Sequence, residues 1–194
     1  MNLILMIDIS GSMTGHKIGA VNDAMENLID ALKNYAASSE SVSLSVMLFY
    51  KNVSWMGDSD VAVDAFKWIE PECTGMTSLG KACLVLSDKL KSEDKTYDIL
   101  VLSDGCPTDD YDEGIEALDS LASFQTSRRF AIAIGDDADI PSLVRFTGDV
   151  QKVYKVSDLN DLINVMTSAL QIDQSQQMAD PIKTIAKAEN DEWD

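Results

Sequence analysis

The chain has 194 residues, 45% of them hydrophobic and 25% charged, and 33 acidic against 15 basic side chains leave a formal net charge of −18. That is the make-up of an ordinary water-soluble domain with one sizeable core. A charge of this sign and size is repelled by phosphate backbones and anionic lipid, which weighs against nucleic-acid and membrane-surface roles and favours divalent cations or basic protein surfaces as partners.

The first element is an apolar run, Leu3-Ile4-Leu5-Met6-Ile7, ending at Asp8. No basic segment precedes it and no stretch of the chain reaches bilayer length, so it reads as a buried strand and not as a signal peptide or span. Residues 17–36 carry Ile18, Val21, Met25, Leu28, Ile29 and Leu32 at spacings of three and four, one face of a helix. Over 42–50, Val42, Leu44, Val46 and Leu48 alternate as in a strand. Lys51-Asn52 suits a two-residue turn, and 53–56 then reads as an antiparallel edge strand. Residues 57–78 show little periodicity and form the longest loop region. A helical period returns over 79–91 through Ala82, Cys83, Leu86 and Leu90.

The unbroken apolar run at 98–103 predicts a central parallel strand covered on both faces. A helix is expected over 111–124, a buried strand over 130–134 stopped by Gly135, and a short helix over 140–147 with Pro141 in its first turn. Val153-Tyr154 marks a short edge strand, and Leu159, Leu162, Ile163 and Met166 mark the last helix. Repeated strand–helix alternation predicts an α/β fold: a doubly wound, Rossmann-like sheet, mostly parallel with one antiparallel edge strand, and helices on both faces. The domain is expected to span residues 1–170. Residues 171–194 read as a polar linker and an acidic tail, with a possible short helix starting at Asp180-Pro181. That tail is a candidate to dock on a partner or on a neighbouring molecule.

Three oxygen-rich pieces fall at the loops of this pattern. Asp8-Ile9-Ser10-Gly11-Ser12 follows the first strand, Thr77 lies in Thr74-Gly75-Met76-Thr77-Ser78 ahead of a helix, and Asp104-Gly105 follows the central strand. Ligands of doubly wound sheets bind outside the carboxyl ends of the strands. Carboxylate and hydroxyl oxygens there suit a hard cation such as Mg²⁺. Taken alone, Ser10, Gly11 and Ser12 equally suit a turn that caps the helix beginning near Lys17. Residues 104–119 hold seven acidic and no basic side chains. They read as a solvated helix face, with Asp109 and Asp110 as caps and not ligands. Cys73, Cys83 and Cys106 lack a short pairing motif and read as free, inert thiols in a reducing cytoplasm, Cys73 and Cys106 near the candidate site. His16, the single histidine, reads as a surface group.

Together and in this order, the DxSxS motif, the Gly-x-Thr loop and the strand-ending Asp-Gly resemble the metal-ion-dependent adhesion site (MIDAS) of von Willebrand factor type A (VWA) domains, over roughly residues 1–170. The resemblance implies an octahedral Mg²⁺, with Mn²⁺ or Ca²⁺ as substitutes. It implies that Ser10 and Ser12 are direct ligands, that Asp8 acts mainly through water, and that Thr77 and Asp104 exchange direct and water-mediated roles between two states. It also implies a protein partner whose acidic side chain fills the open position, and a monomer or weakly self-associating chain. Asp104-Gly105-Cys106-Pro107-Thr108-Asp109-Asp110, with Ala131-Ile132-Ala133-Ile134-Gly135 and Arg145-Phe146-Thr147-Gly148, is similar to the bacterial TerY-like subgroup associated with tellurium resistance and stress response. That likeness implies a cytoplasmic adaptor near kinases and phosphatases, with Cys106 as a departure from the motif.

A metal-dependent hydrolase of phosphatase type is the alternative. It needs a nucleophile or base beside the metal, and Asp8-x-Ser10 lacks the second aspartate of a DxD pair. There is no GxSxG elbow, no GxxxxGK[ST] loop and no GxGxxG, which disfavours elbow hydrolases and nucleotide binding. The expectation is therefore a non-enzymatic binding module.

Overall fold

The computed structural model describes residues 1–172. The expected tail helix at Asp180-Pro181 lies outside the described residues, as does nearly all of the segment assigned to the tail. The elements are β1 (Asn2–Asp8), α1 (His16–Ser38), β2 (Ser43–Phe49), β3 (Val53–Trp55), β4 (Val61–Ala62), α2 (Leu79–Ser92), β5 (Asp98–Ser103), α3 (Tyr111–Asp119), α4 (Ala122–Thr126), β6 (Arg128–Ile134), α5 (Ile140–Thr147), β7 (Val153–Val156) and α6 (Leu162–Leu170).

One seven-stranded sheet runs in the order β3-β2-β1-β5-β6-β7, with β4 also paired to β2. The pairs β1–β2, β1–β5, β5–β6 and β6–β7 are parallel, and β3 and β4 run antiparallel to β2. Side-chain alternation divides the core between two faces. Leu3, Leu5 and Ile7 of β1 pack with Leu100 and Leu102 of β5, Ile132 and Ile134 of β6, and Met25, Leu28 and Leu32 of α1. Ile4 and Met6 pack on the other side with Ile99 and Val101, against Leu79, Cys83 and Leu86 of α2 and Ile115 and Leu118 of α3. The central strands are buried along their length because helices cover both faces.

The structure departs from the expected elements in four places. β4 is a two-residue strand inside the stretch read as loop, pairing Ser43 with Ala62 and Leu44 with Val61. The β2–β3 connection has three residues, Tyr50 to Asn52, because Phe49 already pairs with Val53. The helix expected over 111–124 is broken at Leu121, whose extended backbone separates α3 from α4. β6 starts two residues early, at Arg128, where the Asp98 carboxylate of β5 receives both Nε and Nη2 of Arg128 at 2.7 and 2.5 Å.

The chain leaves β1 for β2 on one side and later returns to β5 on the other. The C-terminal ends of β1 and β5 therefore flank the switch point, where α/β sheets open a crevice.

Candidate metal centre

Asp8 is the last residue of β1 and Asp104 follows β5 directly, and the parallel register pairing Ile7 with Leu102 brings them to the same level. Both carboxylates are buried, as are Ser10 and Thr77. Ser12 is exposed and stands at the mouth.

Backbone bonds tie the three loops together before any side chain acts. Ile9 donates to the Phe49 carbonyl, Thr74 to Ile9, and Gly11 to Gly75 at 3.0 Å. Ser78 donates to the Tyr50 carbonyl, and both the amide and the hydroxyl of Thr108 donate to the Thr77 carbonyl, at 2.8 and 2.9 Å. Asp109 accepts from the amides of Gly80 and Lys81 at the start of α2, and Asp110 accepts from Glu113 as the N-cap of α3. Both are caps, as their sequence context suggested. Ser10 makes no side-chain cap, and α1 begins after Gly15, whose φ of 77° suits glycine. The helix-capping alternative for the serines is therefore absent.

The hydroxyls turn inward. Ser10 and Ser12 Oγ lie 3.1 Å apart, and Ser12 Oγ donates to Asp104 Oδ1 at 2.8 Å. Asp8 Oδ1 accepts the Ser10 amide at 2.8 Å, and Asp8 Oδ2 accepts Ser103 Oγ at 2.6 Å. Gly105 closes the floor. A Cβ there would stand 2.7 Å from Thr77 Oγ1 and 3.5 Å from Asp8 Oδ2, so the absence of a side chain keeps these two groups adjacent.

Burial pushes the Asp8 carboxyl up, against the hydrogen bonds of Ser103 and Ser10, and the charge of Asp104 adds to the rise. Two buried carboxylates thus share a crevice in which, among the described residues, Lys17 supplies the counter-charge. Its ammonium bonds Asp104 Oδ2 and, at 3.1 Å, Asp137 Oδ1 of the β6–α5 loop. Neither Lys17, Asp137 nor Ser103 was singled out from sequence. The only signal for Ser103 was its place at the end of the central strand.

The donor set fits a hard divalent cation. All five candidate donors, Asp8, Ser10, Ser12, Thr77 and Asp104, are oxygens, as Mg²⁺ requires. The Ser10, Ser12 and Asp104 oxygens follow one another at 3.1 and 2.8 Å, close enough for one small cation to reach all three. Among the described residues no three His, Cys, Asp or Glu side chains converge. Hydroxyls must therefore supply much of any coordination here. Cys73 is half-buried near the site, and burial, with the charges of Asp8 and Asp104, pushes its thiol up to about 11. A protonated thiol is a poor soft-metal ligand. Cys106 is exposed and donates to Asp139 Oδ2 at 3.1 Å, which also raises its pKa.

A family model described as "von Willebrand factor type A domain" matches residues 2–168. Among solved structures, the ArnB paralogue VWA2 from Sulfolobus acidocaldarius is 21% identical with a TM-score of 0.65, covering 87% of this chain and 44% of that one. Proximal thread matrix protein 1 from the mussel byssus, in a form with a zinc-occupied MIDAS motif, is 16% identical with a TM-score of 0.65, covering 88% and 45%. The pilus adhesin SpaC from Lactobacillus rhamnosus GG, in an open conformation, is 14% identical with a TM-score of 0.68, covering 89% and 30%. The chain thus spans less than half the length of each of these three, and at such identities the likeness is one of fold. No curated protein matches the chain in sequence.

Proposed function

Because the chain belongs to the von Willebrand factor type A domain family, whose members are often metal-dependent protein-interaction modules, we propose that it is a Mg²⁺-dependent protein-binding module. On this reading Asp8, Ser10, Ser12, Thr77 and Asp104 form its metal site. The observation that carries the reading is the run of oxygen contacts from Ser10 through Ser12 to Asp104, beside the buried Asp8 and Thr77. When bound there, Mg²⁺ would supply an electrophilic position for a partner's carboxylate, since three of the five candidate donors are neutral hydroxyls.

The residues of the chain do the rest. Ser103 and the Ser10 amide hold both oxygens of Asp8 in fixed directions. The Thr108 bonds hold the Thr77 loop over the crevice. Met76, next to Thr77, is 57% exposed and offers an apolar contact beside a polar centre, the usual make-up of a protein interface. Hydrolysis would need a nucleophile or base beside the metal, and both carboxylates at the centre already accept hydrogen bonds, Asp8 from Ser10 and Ser103 and Asp104 from Ser12 and Lys17.

The segment Asp104 to Asp110 supports a narrower reading, a cytoplasmic bacterial adaptor of the TerY-like kind in stress response, tellurium resistance or kinase–phosphatase signalling. Several of its polar residues have a task at the site's edge: Thr108 ties down Thr77, Asp109 caps α2 and Asp110 caps α3. The test is calorimetric titration with Mg²⁺. Asp8→Ala and Asp104→Ala are each expected to abolish binding while the far-UV spectrum is kept, and unchanged affinity in both overturns the assignment. Capture of partners from the native host should depend on Mg²⁺ and be lost in EDTA and in Thr77→Ala. Equal capture in chelator argues against a metal-bridged carboxylate.

A further inference from the structure

Lys17 is the feature that the proposed function leaves unused. Its ammonium contacts Asp104 Oδ2, while the other oxygen of that carboxylate accepts Ser12 at 2.8 Å. A fixed cation therefore stands one carboxylate away from the oxygen cluster. The Lys17 side chain is 20% exposed and that of Asp104 is fully buried, so solvent screens the pair only weakly. The lysine also has a fitted path. Gly135 has φ +89° at the end of β6, and a Cβ there would come within 3.0 Å of Lys17 Cε and 3.3 Å of Nζ. Beyond that passage the same ammonium reaches Asp137, 3.1 Å away, with a side chain 75% exposed.

We propose that Lys17 is a tethered counter-cation of the metal site, which neutralises Asp104 in the metal-free chain and is handed to Asp137 when a divalent cation loads. The inference rests on the metal-site reading and adds a regulation to it. The same carboxylate cannot fully satisfy an ammonium and a nearby dication, because the two cations repel each other across one buried carboxylate. Metal affinity is therefore set by competition. Asp137 lowers the cost of the exchange by receiving Lys17 at the surface, which links metal loading to the β6–α5 loop.

A merely structural ion pair makes the opposite prediction. If Lys17 serves to position Asp104, removing it loosens a ligand and weakens metal binding. If it competes, removing it tightens binding. The experiment is calorimetric titration of the full chain with Mg²⁺, and separately with Mn²⁺, for wild type, Lys17→Met, Asp137→Asn and the double variant, with circular dichroism to check the fold. Lys17→Met is expected to tighten both metals by about tenfold or more, as loss of a poorly screened like charge implies. Asp137→Asn is expected to weaken binding by roughly two- to threefold, the scale of an exposed ion pair, and to lose most of that effect when Lys17 is already Met. Unchanged or weaker binding in Lys17→Met overturns the proposal while leaving the metal site standing. Binding by Lys17→Met alone supports it, and no binding by any of the four chains overturns both readings. Should Lys17→Met not fold, the surface substitution Asp137→Asn decides: unaltered affinity there overturns the exchange.

Discussion

Asp8 and Asp104 place two carboxylates in one buried crevice, an arrangement that costs folding free energy unless a cation or hydrogen bonds offset it. Asp8 answers with two hydrogen bonds, Asp104 with Ser12 and Lys17. Asp8→Asn keeps the shape and removes one of the like charges. The metal-free protein should then melt at the same temperature as wild type or slightly higher, while Mg²⁺ binding disappears. A clear loss of melting temperature in EDTA would mean that the second accepting oxygen of Asp8, or its charge, is structural. Gly105→Ala tests the floor of the site. The added methyl meets Thr77 Oγ1 at 2.7 Å, so Thr77 must move, and metal affinity should fall by roughly tenfold, about 1.4 kcal/mol, with a smaller change in stability. At this scale the sequence was legible where chemistry is carried by short motifs. The positions of Asp8, Ser10, Ser12, Thr77 and Asp104 at one crevice follow from strand ends and loop order. Lys17 and Asp137 do not, because their contact depends on the reach of a long side chain between α1 and a loop 120 positions away. Periodicity carries no such information.

Between elements, α2 and α3 cross closely. Gly80 and Gly114 face each other there: a Cβ at 80 would lie 2.3 Å from the Asp110 carbonyl oxygen, and one at 114 would lie 2.4 Å from that of Gly80. These obstacles are backbone and cannot swing aside, so Gly80→Ala should cost about 2–3 kcal/mol, seen as a lower denaturant midpoint. At the far end of β2, Asp60 fastens the short β4 segment to the body. It accepts Lys95 and Tyr97 at 3.0 Å and Lys89 at 3.2 Å on one oxygen, and Ser45 on the other. Partial burial would raise this carboxyl, but the bonds of Lys95, Lys89 and Tyr97 outweigh it and hold the pKa well below the usual carboxylate range. A depressed folded-state pKa gives stability that is present above the unfolded value of about 3.9 and lost as pH falls below it. Asp60→Asn tolerates the same left-handed backbone, removes the charge and leaves one accepting oxygen in place of two. It should cost about 2 kcal/mol at neutral pH, and the gap from wild type should close as pH falls below about 4. A pH-independent gap in chemical denaturation would refute this account. β4 itself escaped the sequence reading because two residues cannot show a period. The break between α3 and α4 escaped it because Leu118, Leu121 and Ala122 continue the apolar spacing across a non-helical Leu121.

For the whole molecule, the two-faced sheet was the most legible feature, since a strand such as β5 is apolar at nearly every position only when both faces are covered. That architecture also makes the site a reporter on folding. Its proposed donors come from the ends of β1 and β5 and from the loop before α2, so an unfolded chain has no assembled site to offer. A ligand that binds only the folded state stabilises it by mass action, about 2.7 kcal/mol at a hundredfold excess over Kd. For a domain of this length the corresponding rise in melting temperature is roughly 5–10 °C. Mg²⁺ should produce such a shift in wild type and none in Asp8→Asn or Asp104→Ala. A rise of the same size in all three would mean that the cation acts on the net charge of −18 at large and not at this crevice. The two origins also part with salt: about 0.5 M KCl screens diffuse attraction across the surface, but leaves a coordinated ion in a buried carboxylate pair largely in place. A shift that survives salt in wild type and is missing from both variants ties the stability of the whole fold to Asp8 and Asp104.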